Sequence, residues 1–135
     1  MNKTHQKRLL NVARALRESR DPRAFTMERF AHGCGTPACA LGHYAARRDL
    51  QRAFRIDPEP PQESWTSYER SVLDGLDNEV YPDDYQVTDH FGLSIDEGCE
   101  LFDVYGCGGA RTPIQAARYI ERFVARKQKE AGRGR

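Results

Sequence analysis

The sequence predicts a mainly α, compact single-domain fold, and three observations lead to this prediction. Both ends of the 135-residue chain carry apolar residues at helical spacing. Two Thr-Pro pairs, at Thr36 and Thr112, have the form of helix starts, because threonine caps early amides and proline is tolerated at the first helical position. A chain of this length buries roughly two-thirds of the surface that its unfolded form exposes, so it needs no disulfides to fold.

Three elements are predicted in the first part of the chain. A helix is expected over residues 4–20. It should end there because Asp21 precedes Pro22, and a residue before proline disfavours helical geometry. Its apolar face consists of Leu9, Val12, Ala13 and Leu16. A short helical turn over residues 25–30 is expected to direct apolar side chains towards the core. A second helix is expected from Thr36 to about Phe54.

The middle of the chain leaves two interpretations open. The proline-rich residues 57–61 predict an extended loop. The following residues have mixed periodicity, which fits either a short β-hairpin within residues 62–85 or a helix over residues 67–76.

The last part of the chain predicts two helices with identifiable starts. A helical turn over residues 87–91 is expected to end at Gly92, and Ser94 with Glu97 has the capping-box pattern that begins a helix through Phe102. A glycine-rich loop over residues 105–111 then precedes the final helix at Thr112. The domain is expected to comprise residues 1–126, followed by a basic flexible tail over residues 127–135.

Charge is strongly segregated along the chain although the net charge is only +1. Residues 1–56 carry a net charge of +8, residues 57–103 carry −13, and residues 104–135 carry +6. Such blocks fit either two surfaces for different partners or basic helices folded against an acidic segment of the same domain. The basic ends are typical of nucleic-acid contacts, whereas the acidic block would suit a basic protein partner.

The charged N-terminus and the absence of a long apolar run predict a protein without a secretory signal or membrane span. We therefore expect a cytoplasmic protein whose thiols are reduced. The four cysteines are Cys34, Cys39, Cys99 and Cys107.

The densest group of reactive side chains lies between His32 and His43, with two cysteines between these histidines. A partial repeat of its Gly-Cys-Gly and Thr-Pro pattern occurs at residues 106–113. We expect the two junctions to form one structural or ligand site. The candidate binding residues are His32, Cys34, Gly35, Thr36, Cys39, His43, Cys107, Arg111 and Thr112.

Three chemistries fit these residues, and core packing is the fourth interpretation. Zinc takes thiolate and imidazole ligands, and the candidate ligands are Cys34, Cys39, His43 and Cys107. A thiol at a helix N-terminus is acidified and can act as a nucleophile with a nearby histidine as base. The helix starts after Gly35 and Arg111 present free amides that attract phosphate. Free cysteines are also among the most buried residues, which favours a core role for Cys39 and Cys99. In this interpretation the protein binds no cofactor.

The residues also resemble a known family. The resemblance rests on Cys-Gly-Thr-Pro-Ala-Cys-Ala-Leu-Gly-His-Tyr-Ala at 34–45, Asp-His-Phe-Gly-Leu-Ser at 89–94, Glu-Leu-Phe at 100–102, and Gly-Cys-Gly-Gly at 106–109 before a Thr-Pro pair. These motifs resemble a family of small uncharacterised bacteriophage and prophage proteins, over roughly residues 25–125. The resemblance implies an intracellular accessory protein, and it assigns no catalytic or binding residue.

The sequence therefore predicts a non-enzymatic phage-type accessory protein that binds a host or phage macromolecule, such as a host nucleic-acid or defence system that it inhibits. The partner is a protein or a nucleic acid, and the oligomeric state stays open. The alternatives are a small thiol- or metal-dependent enzyme that uses the 32–43 cluster and a phosphate- or nucleotide-binding module.

Overall fold

The structure, a computed structural model, describes residues 1–28, 37–51 and 84–133. Over these ranges the chain is mainly helical and forms one compact domain, as predicted. A short 3-10 helix at Pro22–Ala24 follows the first α-helix. The α-helices are α1 (Lys3–Arg17), α2 (Ala40–Ala46), α3 (Asp84–Phe91), α4 (Ile95–Phe102), α5 (Gly106–Gly109) and α6 (Pro113–Arg133).

The first and last helices pack antiparallel and form the centre of the domain. Arg17 near the end of α1 donates two hydrogen bonds, of 2.9 and 2.6 Å, to the Glu121 carboxylate on α6. At the opposite end, the Gln128 side-chain amide donates to that of Gln6 at 2.8 Å. Between these contacts the predicted apolar faces are buried in one core, which confirms the helical spacing at both ends of the chain: Leu9, Val12, Ala13 and Leu16 from α1, and Ala116, Ala117, Ile120, Phe123 and Val124 from α6.

The second helix is much shorter than predicted. It begins at Ala40, not at Thr36, because residues 37 and 38 are extended and the Ala38 carbonyl accepts from the Thr26 amide at 3.2 Å. It ends at Ala46, because the Arg47 carbonyl instead accepts from the amides of Leu50 and Gln51 in a turn. Contacts before and after α2 thus limit its length, although the sequence has helical propensity over a longer range.

The turn predicted over residues 25–30 is only partly described. Phe25 is extended after a helical turn at Pro22–Ala24, residues 27 and 28 lie in a turn, and residues 29 and 30 lie outside the described residues. Phe25 and Met27 still contribute to the core, as the apolar pattern indicated. The predicted hairpin or helix of residues 62–83 lies outside the described residues, and residues 84 and 85 begin α3.

The C-terminal starts and stops agree with the predictions. Gly92 has φ +63° directly after α3. Ser94 and Glu97 form both hydrogen bonds of the capping box, and α4 ends at Phe102. The predicted loop of residues 105–111 contains a single helical turn whose Cys107 and Gly108 have left-handed dihedral angles.

Two features of this half differ from simple expectation. Residues 127–133, part of the tail predicted over residues 127–135, continue α6, where Lys127 pairs with Glu97 and Gln128 with Gln6. Cys99, expected in the core, is exposed, since the buried residue of α4 is Leu101.

Candidate functional site

His43 is buried, and both of its ring nitrogens have partners. It lies on α2, whose N-cap residue Cys39 accepts from the Gly42 amide through Sγ at 3.4 Å. Nδ1 lies 2.8 Å from the Cys39 carbonyl oxygen, so Nδ1 donates, and Nε2 lies 3.0 Å from the Ser19 hydroxyl, from which it accepts. Burial lowers the pKa of His43, which favours this neutral ring. These contacts assign His43 a role in attaching α2 to the end of α1.

Cys39 and Cys107, one from each cysteine-bearing junction, lie near each other. Cys39 and Cys107 belong to the same core cluster, and the Cys107 thiol donates to the Leu101 carbonyl at 3.2 Å. Burial, with smaller contributions from nearby Cys39 and Glu100, raises the pKa of Cys107 to about 12. A thiol with such a pKa is protonated at neutral pH, so Cys107 is suited to packing rather than to nucleophilic attack.

The structure describes three of the four predicted zinc ligands, Cys39, His43 and Cys107. Within residues 1–28, 37–51 and 84–133, no three histidine, cysteine or acidic side chains are grouped so that they could hold a metal ion. His43 uses both nitrogens in hydrogen bonds. Cys34 lies outside the described residues, together with His32, Gly35 and Thr36, so the zinc site and the role of these four residues stay predictions.

A cavity of about 610 Å³ lies where the glycine-rich turn meets the start of α6. Its described lining comprises Cys107, Gly108, Gly109, Ala110, Arg111, Gln115, Arg118, Tyr119 and Arg122. Arg118 and Arg122 are one turn apart and lie on the same face of α6. Arg111 lies just before the start of this helix. All three are exposed. We call this cavity the arginine pocket.

The α6 N-terminus beside this pocket is capped by side chains. The Gln115 amide donates to the Thr112 hydroxyl at 3.2 Å, and the Arg111 amide donates to the Gln115 side-chain oxygen at 2.9 Å. The predicted cap function of Thr112 is thereby confirmed. These two amides are occupied, so the arginine side chains, rather than the backbone, dominate the positive charge of the pocket.

The acidic residues nearest to the arginine pocket are bound to other partners. Glu100 accepts from the Tyr119 hydroxyl at 2.9 Å and pairs with Arg126 at 3.2 Å. Glu121 is held by Arg17. Across the part of the chain that the structure describes, Arg111, Arg118 and Arg122 form no ion pair. Arg118 still interacts electrostatically with Glu121, whereas no described carboxylate pairs with Arg111 or Arg122.

A second cavity, of about 720 Å³, lies beside His43, and its described lining carries three carboxylates and two arginines. Arg47 extends along it and pairs with both Glu18 and Asp49, each at 2.8 Å. Among its described lining residues, Ser19 is committed to the His43 ring. These two ion pairs neutralise the charge of Arg47. An anion is therefore attracted less strongly to this cavity than to the arginine pocket.

The structure thus divides the predicted site. Cys39 and His43 fix α2, Cys107 and Arg111 line the arginine pocket, and Thr112 caps α6. Arg118 and Arg122 were predicted as part of a basic helix but not as members of the site. The sequence signal for them was their helical spacing after Arg111. This signal becomes informative only when the ion pairs of the neighbouring Glu100 and Glu121 are known.

Comparisons with known proteins identify no relative. No family model matches the chain, and neither a curated protein nor a solved structure matches it. No helix in the described ranges combines the length and the apolar composition that a membrane crossing requires.

Proposed function

We propose that this chain is a non-enzymatic accessory protein of the bacteriophage or prophage type and that it acts by binding nucleic acid in the cytoplasm of a bacterial cell. The observation that carries the proposal is the arginine pocket, which is lined by three exposed arginines that form no ion pair with a described residue. The sequence resemblance supplies the phage context.

Phosphate is the anion that this chemistry suits best. Guanidinium groups present planar donor pairs that match phosphate oxygens and bind them through charge-assisted hydrogen bonds. The positive end of the α6 dipole adds to the local potential at the same place. A cavity of about 610 Å³ is within the usual range for a small ligand and accommodates a phosphate with its sugar.

The basic surface extends beyond the pocket, which favours a polymer over a small phosphate compound. Lys129 is exposed and lies on the same face of α6 as Arg118 and Arg122. Eleven residues of helix separate Arg118 from Lys129, or roughly 16 Å at 1.5 Å per residue. Charges distributed over such a length can contact successive phosphates of a nucleic-acid strand.

Fluorescence anisotropy with labelled 20-nucleotide DNA, single-stranded and duplex, tests this proposal. Arg118→Gln/Arg122→Gln should weaken binding of both probes roughly 25- to 60-fold at 0.1 M salt, because each lost phosphate contact removes about 0.7 to 0.9 from the salt slope. The plot of log K against log salt should become shallower by about 1.4 to 1.8.

Lys3→Gln/Lys7→Gln is the matched control. It removes the same net charge from exposed positions near the start of α1, where Gln6 meets Gln128 at the other end of α6. This variant should lose clearly less affinity than Arg118→Gln/Arg122→Gln, because Lys3 and Lys7 are not part of the arginine pocket. Equal losses in both double variants would show that only net charge matters, and absence of binding by the unmodified protein would reject the proposal.

A further inference from the structure

Tyr105 is the most exposed large hydrophobic side chain among the described residues. Its relative exposure is 85%, compared with 57% for Ile95 and 39% for the adjacent Val104. Most tyrosines bury the ring and leave only the hydroxyl in water. This ring is therefore available to stack against a planar group.

The backbone of Tyr105 belongs to the same turn as the arginine pocket. Tyr105 is the N-cap residue of α5, and its carbonyl accepts from the amide of the pocket residue Gly109 at 3.3 Å. The ring is thus attached only a few residues from Arg111, which begins the basic face. The exposed ring of Tyr105 and Arg111, one of the three arginines of the pocket, therefore occur within one short segment, residues 105–111.

The turn is held in place on one side and open on the other. Gly106 packs so closely that a Cβ there would lie 2.7 Å from the Leu101 carbonyl oxygen, and its amide donates to the Asp103 carbonyl at 2.7 Å. Gly109 has φ +74°, and a Cβ on it would meet no atom within 4 Å. A ligand can therefore approach the backbone at Gly109 while the position of Tyr105 stays fixed.

We propose that the nucleic acid bound here is single-stranded, with a base stacked on Tyr105 and the adjoining phosphates on Arg118 and Arg122. The inference rests on the proposed function. Bases of a single strand expose their faces to an aromatic ring, whereas those of a duplex are already stacked on each other. A cationic groove combined with an exposed aromatic is the arrangement that binds single strands with little sequence preference.

Anisotropy with a labelled 20-nucleotide single strand and the corresponding duplex tests the inference in the full-length protein. Tyr105→Ala should weaken single-strand binding by about 5- to 150-fold, the range measured for loss of one stacked base. Duplex binding should change less than twofold. Tyr105→Phe keeps the ring and should bind the single strand as the unmodified protein does.

The outcomes separate the two proposals. Equal affinity of Tyr105→Ala and the unmodified protein for the single strand, with Arg118→Gln/Arg122→Gln still impaired, would overturn the stacking inference and leave nucleic-acid binding intact. Failure of the unmodified protein to bind either probe would overturn both. Because Tyr105 is exposed, the alanine variant should fold normally, and circular dichroism with thermal melting verifies this.

Discussion

The Tyr44 hydroxyl and Nε2 of His90 lie 2.7 Å apart and form a buried hydrogen bond between α2 and α3. Their rings also pack at a centroid distance of 5.6 Å, and Phe91 contacts both. The Arg8 guanidinium donates to the His90 carbonyl at 2.8 Å, which adds a contact to α1. One histidine thus connects three helices of the domain.

Acid should destabilise the protein through this histidine. Burial, together with the charges of Arg8 and His5, lowers the pKa of His90 from 6.5 to about 4. Between these values the unfolded chain binds the proton more tightly, so the stability is complete above pH 6.5 and is lost as the pH falls towards 4. This difference in pKa corresponds to at most about 3 kcal/mol of folding free energy. Urea unfolding at several pH values measures it.

His90→Gln is the variant that isolates this effect. Its stability at pH 7 should be lower, but the decline between pH 6.5 and 4 should be much shallower than in the unmodified protein. His43, whose pKa burial also lowers, contributes in the same direction and accounts for the remaining slope. An unchanged pH profile in His90→Gln would contradict the assignment.

Tyr44→Phe should destabilise the fold at neutral pH. The variant retains the ring but removes the hydroxyl that is hydrogen-bonded to His90, at a cost of about 1–3 kcal/mol for a buried polar atom that loses its partner. Chemical unfolding at pH 7 measures the change. Tyr105→Phe is the matched control, because the same atom is removed from an exposed side chain and the stability should stay within about 0.5 kcal/mol.

Local signals in the sequence predicted the C-terminal half well. The capping box at Ser94 and the Thr112 cap depend on side chains only a few residues from the amides that they bind. The length of α2 depends on distant partners instead. Arg47, where α2 ends, pairs with Glu18 from the end of α1, and residues 37 and 38 are held next to Thr26. Such contacts cannot be inferred from helix propensity.

The candidate site was predictable only in part for the same reason. The core position of Cys39 was predicted from the usual burial of free cysteines, whereas the core position of Cys107 was not. The arginine pocket depends on which acids are already occupied, and Arg17 reaches Glu121 across 104 positions of sequence. Glu121 interacts electrostatically with its sequence neighbour Arg118, but its ion pair with Arg17 cannot be read from the order of charges along the chain.

Gly92→Ala should be strongly destabilising. Gly92 has φ +63°, and a Cβ there would overlap the His5 ring on α1. The left-handed backbone alone costs an alanine roughly 1–2 kcal/mol, and displacement of the His5 ring adds to this. Gly132→Ala provides the contrast, since a Cβ there meets nothing within 4 Å. It should stabilise α6 by up to about 1 kcal/mol. Thermal melting that ranked the two variants equally would contradict the backbone argument.

Thiol labelling should separate the three described cysteines. Cys99 is exposed and should react first with a disulfide reagent under native conditions. Cys39 and Cys107 are buried, and the raised pKa of Cys107, about 12, leaves a thiolate fraction on the order of 10⁻⁴ to 10⁻⁵ at pH 7.5. These two should react only on unfolding. Mass mapping of the labelled peptides identifies each site and distinguishes Cys34. Rapid native labelling of Cys107 would show that the turn from residues 105 to 111 opens readily, and would contradict the fixed position of Tyr105 on which single-strand stacking depends.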